Sequence, residues 1–138
     1  MKKTLLTILL LNSLFLFSQT EKDSLKIDVL NSIKAVNASD YETLLKYFPD
    51  FVFENITKEQ LLKDMSDGIK SSVSENVRIE IDTIMIIDSV KYARFYFEDG
   101  VRTYGIKTKE NDNWTFIDLN KLTEKYIPKQ ITTSLDDN

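Results

Sequence analysis

The stretch Val77-Arg78-Ile79-Glu80-Ile81-Asp82-Thr83-Ile84-Met85-Ile86-Ile87-Asp88 decides the fold class. Val77, Ile79 and Ile81 alternate with Arg78, Glu80 and Asp82, the period-two pattern of a strand with one buried face. The apolar parity then slips to Ile84 and Ile86. A one-residue slip sends side chains to the opposite face, so a bulge or bend is expected near Asp82 and Thr83. Asp88-Ser89 turns the chain into a second strand, Val90 to Glu98. Asp99-Gly100 then reads as a two-residue hairpin turn, since both residues accept positive φ. A third strand runs from Val101 to Lys109, a looser turn spans Glu110 to Asn113, and Trp114 to Leu119 is the last strand. The result is a meander of about four antiparallel strands.

Upstream the period changes to helical. Leu25, Val29, Ile33 and Val36 recur on one face between Ser24 and Val36. A second, short helix is expected from Ser39, where Ser39 and Glu42 stand in a capping-box relation. It ends before Pro49, which biases Phe48 out of helical geometry. Asp50 to Asn55 reads as extended. A third helix starts at Thr57, with Gln60 completing a second capping box, and carries Leu61, Leu62, Met65 and Ile69 as its buried stripe. Downstream, Leu122 to Ile127 reads as a short helix leaning on the sheet. Residues 128–138, ending Asp136-Asp137-Asn138, read as a flexible tail. Helices followed by an antiparallel meander make an α+β domain over residues 19–127.

Residues 1–18 read as an export signal. Lys2 and Lys3 precede an apolar run from Leu5 to Phe17, and the small and polar Ser18, Gln19 and Thr20 follow. The run is shorter than the roughly 20 apolar residues that a bilayer core requires. Cleavage is expected near Ser18 or Gln19, placing the mature domain in the periplasm or outside the cell. Cutting there removes two of the 18 basic residues and none of the 22 acidic ones, so the net charge moves from −4 to −6. An acidic surface without a basic cluster argues against nucleic acid and anionic membranes as partners. The chain has no cysteine, so the domain is held by its core without disulfides.

The stretch Asp40-Tyr41-x-x-Leu44-Leu45-x-Tyr47-Phe48-Pro49-Asp50-Phe51-Val52-Phe53, then Thr57-Lys58-Glu59-Gln60-Leu61-Leu62, then the antiparallel strands, resembles the nuclear transport factor 2-like superfamily. That group includes ketosteroid isomerase-like and polyketide cyclase-like proteins. The resemblance implies a cone in which a curved sheet and helices enclose a pocket, used by some members for catalysis and by others for binding. It places the carboxylate base of isomerase-like members close to Glu54. The phenol donor of those enzymes is absent, because the first helix carries no tyrosine. Their insertion before the third helix is missing too, since Asn55-Ile56 leads straight to Thr57. The dehydratase-like members rely on histidine, and this chain has none.

Without cysteine or histidine, thiol nucleophiles, Ser-His triads and imidazole-ligated zinc are excluded for this chain. There is no glycine-rich phosphate loop, and no cofactor or metal is expected. Carboxylate pairs such as Asp136-Asp137 and Glu98-Asp99 lack the ligand count of a calcium site. Three sequons begin at Asn37, Asn55 and Asn113, and the first two end in the expected helix caps Ser39 and Thr57.

The candidate ligand site is the set Tyr92, Arg94, Tyr96, Tyr104 and Trp114. Tyr92, Arg94 and Tyr96 share one strand face while Phe95 and Phe97 share the other. On a concave face they offer flat walls, hydroxyls and one fixed cation, the ingredients of a small-molecule pocket. The competing reading is ordinary packing, with Arg94 stacked on a tyrosine or paired with a carboxylate. Three functions follow. The first is a non-enzymatic binding domain for a small apolar or amphipathic molecule or a protein segment. The second is an isomerase or lyase with Glu54 or Asp50 as base. The third is a domain packed shut and acting as an interaction module, with the exposed sheet face suited to a homodimer.

Overall fold

In the computed structural model the backbone is described for residues 2–133 and the side chains for 19–133. The side chains of residues 1–18, the expected export signal, therefore lie outside the description, and the Asp136-Asp137 pair lies outside the described residues altogether. The described chain is α+β, with helices packed on a four-stranded antiparallel sheet and a short C-terminal helix.

The first helix, α1, is Lys2–Asn37. The sequence reading began it only at Ser24. No glycine or proline occurs before Pro49, so nothing between Ser18 and Ser24 interrupts helical backbone. Leu25, Val29 and Ile33 bury the expected stripe. Ser39 ends α1 in the left-handed conformation, with φ +54°. The N–H of Ser39 bonds the Val36 carbonyl and that of Asp40 bonds the Ala35 carbonyl. This corrects the expected Ser39–Glu42 capping box: Ser39 closes one helix, and Asp40 opens the next by accepting from Thr43 N–H at 3.1 Å. That second helix, α2 (Tyr41–Leu44), runs into a 3-10 turn, Leu45–Tyr47.

Asp50–Glu54 is a 3-10 turn, not the expected extended segment. The tight turn lets Phe53 join the helical core while Phe51 reaches the sheet. Helix α3 (Lys58–Gly68) opens at the expected cap, with Thr57 Oγ1 accepting from Gln60 N–H at 3.1 Å. The Gln60 side chain donates to Asp64 at 2.7 Å and so does not complete the expected box. Leu61, Leu62, Met65 and Ile69 pack with Leu44, Leu45 and Tyr47.

The strands are β1 (Ile79–Ile87), β2 (Val90–Phe97), β3 (Arg102–Lys107) and β4 (Thr115–Ile117), in the order β1-β2-β3-β4. The bulge falls where the parity slip put it: Ile81 pairs Phe95, Thr83 pairs Arg94, and Asp82 is the extra residue. Asp88 and Ser89 have φ of +49° and +68°, so the two-residue mirror-image turn is here. Asp99-Gly100 closes a different loop. Gly100 N–H bonds the Phe97 carbonyl and Phe97 N–H bonds the Val101 carbonyl, so Glu98, Asp99 and Gly100 form a three-residue connection. Only Gly100 takes positive φ there, +81°.

The two faces of the sheet are covered from opposite ends of the chain. Ala93, Phe95 and Trp114 pack beneath α1. The tyrosine face is closed not by the N-terminal helices but by a C-terminal strap. It consists of a 3-10 turn, Glu124–Tyr126, and the one-turn helix α4, Lys129–Thr132. The expected helix at Leu122–Ile127 and the expected flexible tail from residue 128 are corrected together. Ile127 and Ile131, four residues apart, bury against Tyr104, Ile106 and Ile117, and this holds the chain as far as Thr133.

Candidate functional site

Cross-strand register puts Tyr92, Arg94 and Tyr96 on one face, with Ile106, Tyr104 and Arg102 respectively as their β3 partners. Trp114 does not join them. It is fully buried on the opposite face, against Gly105, where a side chain's Cβ would stand 3.0 Å from the indole Cε3. Glycine at 105 is what admits the ring.

Arg94 is 5% exposed and its hydrogen bonds are internal. Its Nε and Nη2 both meet Oδ2 of Asp82, the bulge residue, the former at 2.5 Å. Its Nη1 donates to the carbonyls of Ile131 and Thr133, each at 2.9 Å. The tyrosines around it part company. Tyr104 is buried, and its hydroxyl approaches Arg102 without a hydrogen bond of good geometry. That hydroxyl is the first cause holding the Arg102 guanidinium above its ordinary pKa. Tyr96 lies under the Arg102 guanidinium, 5.5 Å from its ring centroid. It lines a more polar depression of about 390 Å³ with Arg78, Glu80, Phe97 and Glu98 that shares no residue with the cleft at Tyr92.

Tyr92 alone of the set reaches an apolar opening. A cleft of about 200 Å³ is bounded by Pro49, Phe51, Val90, Tyr92, Ile106 and Tyr126, with Asp50, Thr108, Asn111 and Thr115 supplying polar groups. Phe51 and Tyr126 stack with centroids 3.7 Å apart, so the 3-10 turn after Pro49 and the strap together build one wall. Burial first, then the Asp88 carboxylate, raises the Tyr92 phenol above its usual value, keeping it a neutral donor at physiological pH. Two further depressions adjoin the cleft. One, about 480 Å³, shares Asp50 and Asn111 with it and adds Leu45, Phe48, Phe53 and Lys58. The other, about 290 Å³, shares Thr108 and Asn111 and adds Lys91, Lys107 and Lys109. Asn111, in the Glu110–Asn113 turn, borders all three depressions.

The carboxylates considered as bases stand at its margin. Asp50 is exposed at the cleft rim. Glu54 is exposed outside the cleft lining, with its Oε2 3.5 Å from the Tyr126 hydroxyl. Arg94 pairs with neither.

Sequence reasoning missed Asp28. This α1 carboxylate is 7% exposed and accepts from the Trp114 backbone N–H at 2.8 Å, tying the helix to the start of β4. Desolvation raises its pKa, partly offset by that hydrogen bond and by Lys107. One turn earlier Lys107 Nζ reaches Ser24 Oγ at 3.4 Å, and two turns earlier Glu21 pairs with Lys91 at 2.5 Å. An acidic residue on the buried side of the Leu25-Val29-Ile33 stripe was the available signal. The Asn37 sequon is engaged as well: its amide exchanges two 2.7 Å hydrogen bonds with the backbone of Val73.

With the geometry in place, comparison adds no relative: no protein-family model, no curated protein and no solved structure matches this chain. Among the described residues no helix is long and apolar enough to cross a membrane.

Proposed function

We propose that the protein is an exported, non-enzymatic binding domain that holds a small apolar or amphipathic molecule in the cleft centred on Tyr92. The observation that carries the reading is the convergence of Phe51, Tyr92, Ile106 and Tyr126 on one apolar cleft. At about 200 Å³ it is smaller than the roughly 300–1,000 Å³ typical of drug-sized ligand sites, so the guest it suits is small. The candidate site is thereby narrowed from five residues to Tyr92 and its new neighbours. Arg94 is paired with Asp82, and Tyr104 and Trp114 are buried, in line with the competing reading of ordinary packing. The order of three helices before a four-stranded meander supports a nuclear transport factor 2-like ancestry, which we hold as part of the same proposal.

A screen of medium-chain alcohols, fatty acids and small aromatic compounds by backbone amide chemical-shift perturbation tests the reading. Shifts should concentrate at Tyr92, Asn111, Thr115 and Tyr126, and Tyr92→Ser should weaken binding at least tenfold without unfolding the domain. Shifts scattered over the surface, or none at millimolar ligand, would remove the cleft as a site.

A further inference from the structure

The strap sits on the sheet as a bound peptide sits on a receptor. Two isoleucines are its anchors: Ile131 is fully buried and Ile127 is 4% exposed. Two of its carbonyls, those of Ile131 and Thr133, are fixed by one buried guanidinium. Its own secondary structure is slight. α4 has one turn, begins behind Pro128 and has no side-chain cap, so the segment's order comes from the surface that it covers.

Charge says what that surface accepts. Asp82 already neutralises Arg94 through Nε and Nη2, and only Nη1 is left for an occupant. A carboxylate there would place a second negative charge beside a single cation, whereas peptide carbonyls satisfy Nη1 without one. The socket therefore suits neutral backbone and an aliphatic side chain, not an acidic headgroup. The segment it holds carries Lys125 and Lys129 against Glu124, a basic stretch on an otherwise acidic chain.

We propose that the Arg94 socket is a peptide-binding site filled in cis by residues 124–133, and that the same segment of a second copy fills it in trans. Every contact made within one molecule is available between two. The tether to β4 sets which form wins. Short tethers correspond to effective concentrations of about millimolar, so exchange becomes competitive at that protein concentration. The second copy is the partner because its segment carries the isoleucine spacing and the backbone carbonyls already shown to fit.

The test uses the full mature chain and a fluorescein-labelled peptide of residues 124–133, read by anisotropy. In Ile131→Asp the strap cannot seat, and the empty socket should bind the peptide saturably, at least tenfold more tightly than the wild type does. Adding Arg94→Met should abolish that binding. A folded Ile131→Asp chain that ignores the peptide, or binds it equally well with Arg94→Met, overturns the socket. Where Ile131→Asp does not fold, Ile131→Ala carries the same comparison. For exchange itself, unmodified chain refolded at about 1 mM, the tether scale above, should yield a dimer on gel filtration that Arg94→Met lacks. Monomer at every concentration overturns the second copy as partner.

Discussion

At the scale of single residues, Asp28 shows how a polar group earns a buried place. Its carboxylate answers the Trp114 N–H, which the buried start of β4 would otherwise leave unpaired. Asp28→Ala should cost about 1–3 kcal/mol in chemical denaturation, the usual penalty for a buried unsatisfied donor. Asp28→Asn keeps an acceptor oxygen and removes the charge, so it should stay within about 1 kcal/mol of the wild type at pH 7. The pH dependence separates the two effects. The folded pKa lies above the ordinary 3.8, so the folded state binds the proton more tightly than the unfolded one. This group's contribution is therefore greatest below pH 3.8 and declines as pH rises through the folded value. The stability of Asp28→Asn relative to wild type should rise across that window and then level off. A difference that stays flat with pH would mean that the carboxylate pays no desolvation cost.

Among the elements, one hairpin turn departs from what the sequence suggested and the other keeps to it. Asp-Gly at 99–100 is the familiar two-residue signal, yet the chain spends it in a three-residue loop where Gly100 alone is left-handed. Asp88-Ser89 makes the two-residue turn with two non-glycine residues at positive φ. Left-handed geometry costs such residues roughly 1–2 kcal/mol, while glycine's extra unfolded entropy costs about 0.5–1 kcal/mol. Ser89→Gly should therefore stabilise the domain, by about 0.5–1 kcal/mol in urea titration, whereas Gly100→Val should destabilise it by about 1–3 kcal/mol. Equal effects at both sites would contradict this assignment of turns. Elements were legible where periodicity runs long, as in the α1 stripe from Leu25 to Val36 and the slip at Asp82. They were illegible where local chemistry competes. Ser39 looks the same whether it opens a helix or closes one, and only the hydrogen bonds of its backbone decide. Ile127 and Ile131 are too few to announce a buried strap, because their partners on β3 and β4 are distant in sequence. The site suffered for that reason: Arg94 was legible as a fixed cation, but besides Asp82 what fixes it lies in a segment that reads as tail.

For the whole molecule, the proposed export bears on stability at the N-terminus that cleavage would create. With no cysteine, the fold depends on α1 staying seated across the sheet. The described contacts that seat it begin at Glu21, with the Lys91 bridge, and continue through Ser24, Leu25, Asp28, Val29 and Ile33. A cut near Ser18 keeps all of them. It also puts Glu21 and Asp23 in the first turn of the shortened helix, where carboxylates favourably meet the positive end of the helix dipole. We therefore expect mass spectrometry of the exported protein to find its N-terminus between Ser18 and Glu21. A chain beginning at Gln19 should match the urea stability of the uncut chain within about 0.5 kcal/mol, the scatter of neutral surface changes. One beginning at Ser24 loses the partly buried Glu21–Lys91 pair and should be less stable by about 1 kcal/mol, the upper end for such pairs. Intact Met1 recovered from a membrane fraction would contradict processing. Equal stability of the Gln19 and Ser24 chains would show that the bridge does not hold the helix, and that the apolar stripe from Leu25 onward suffices.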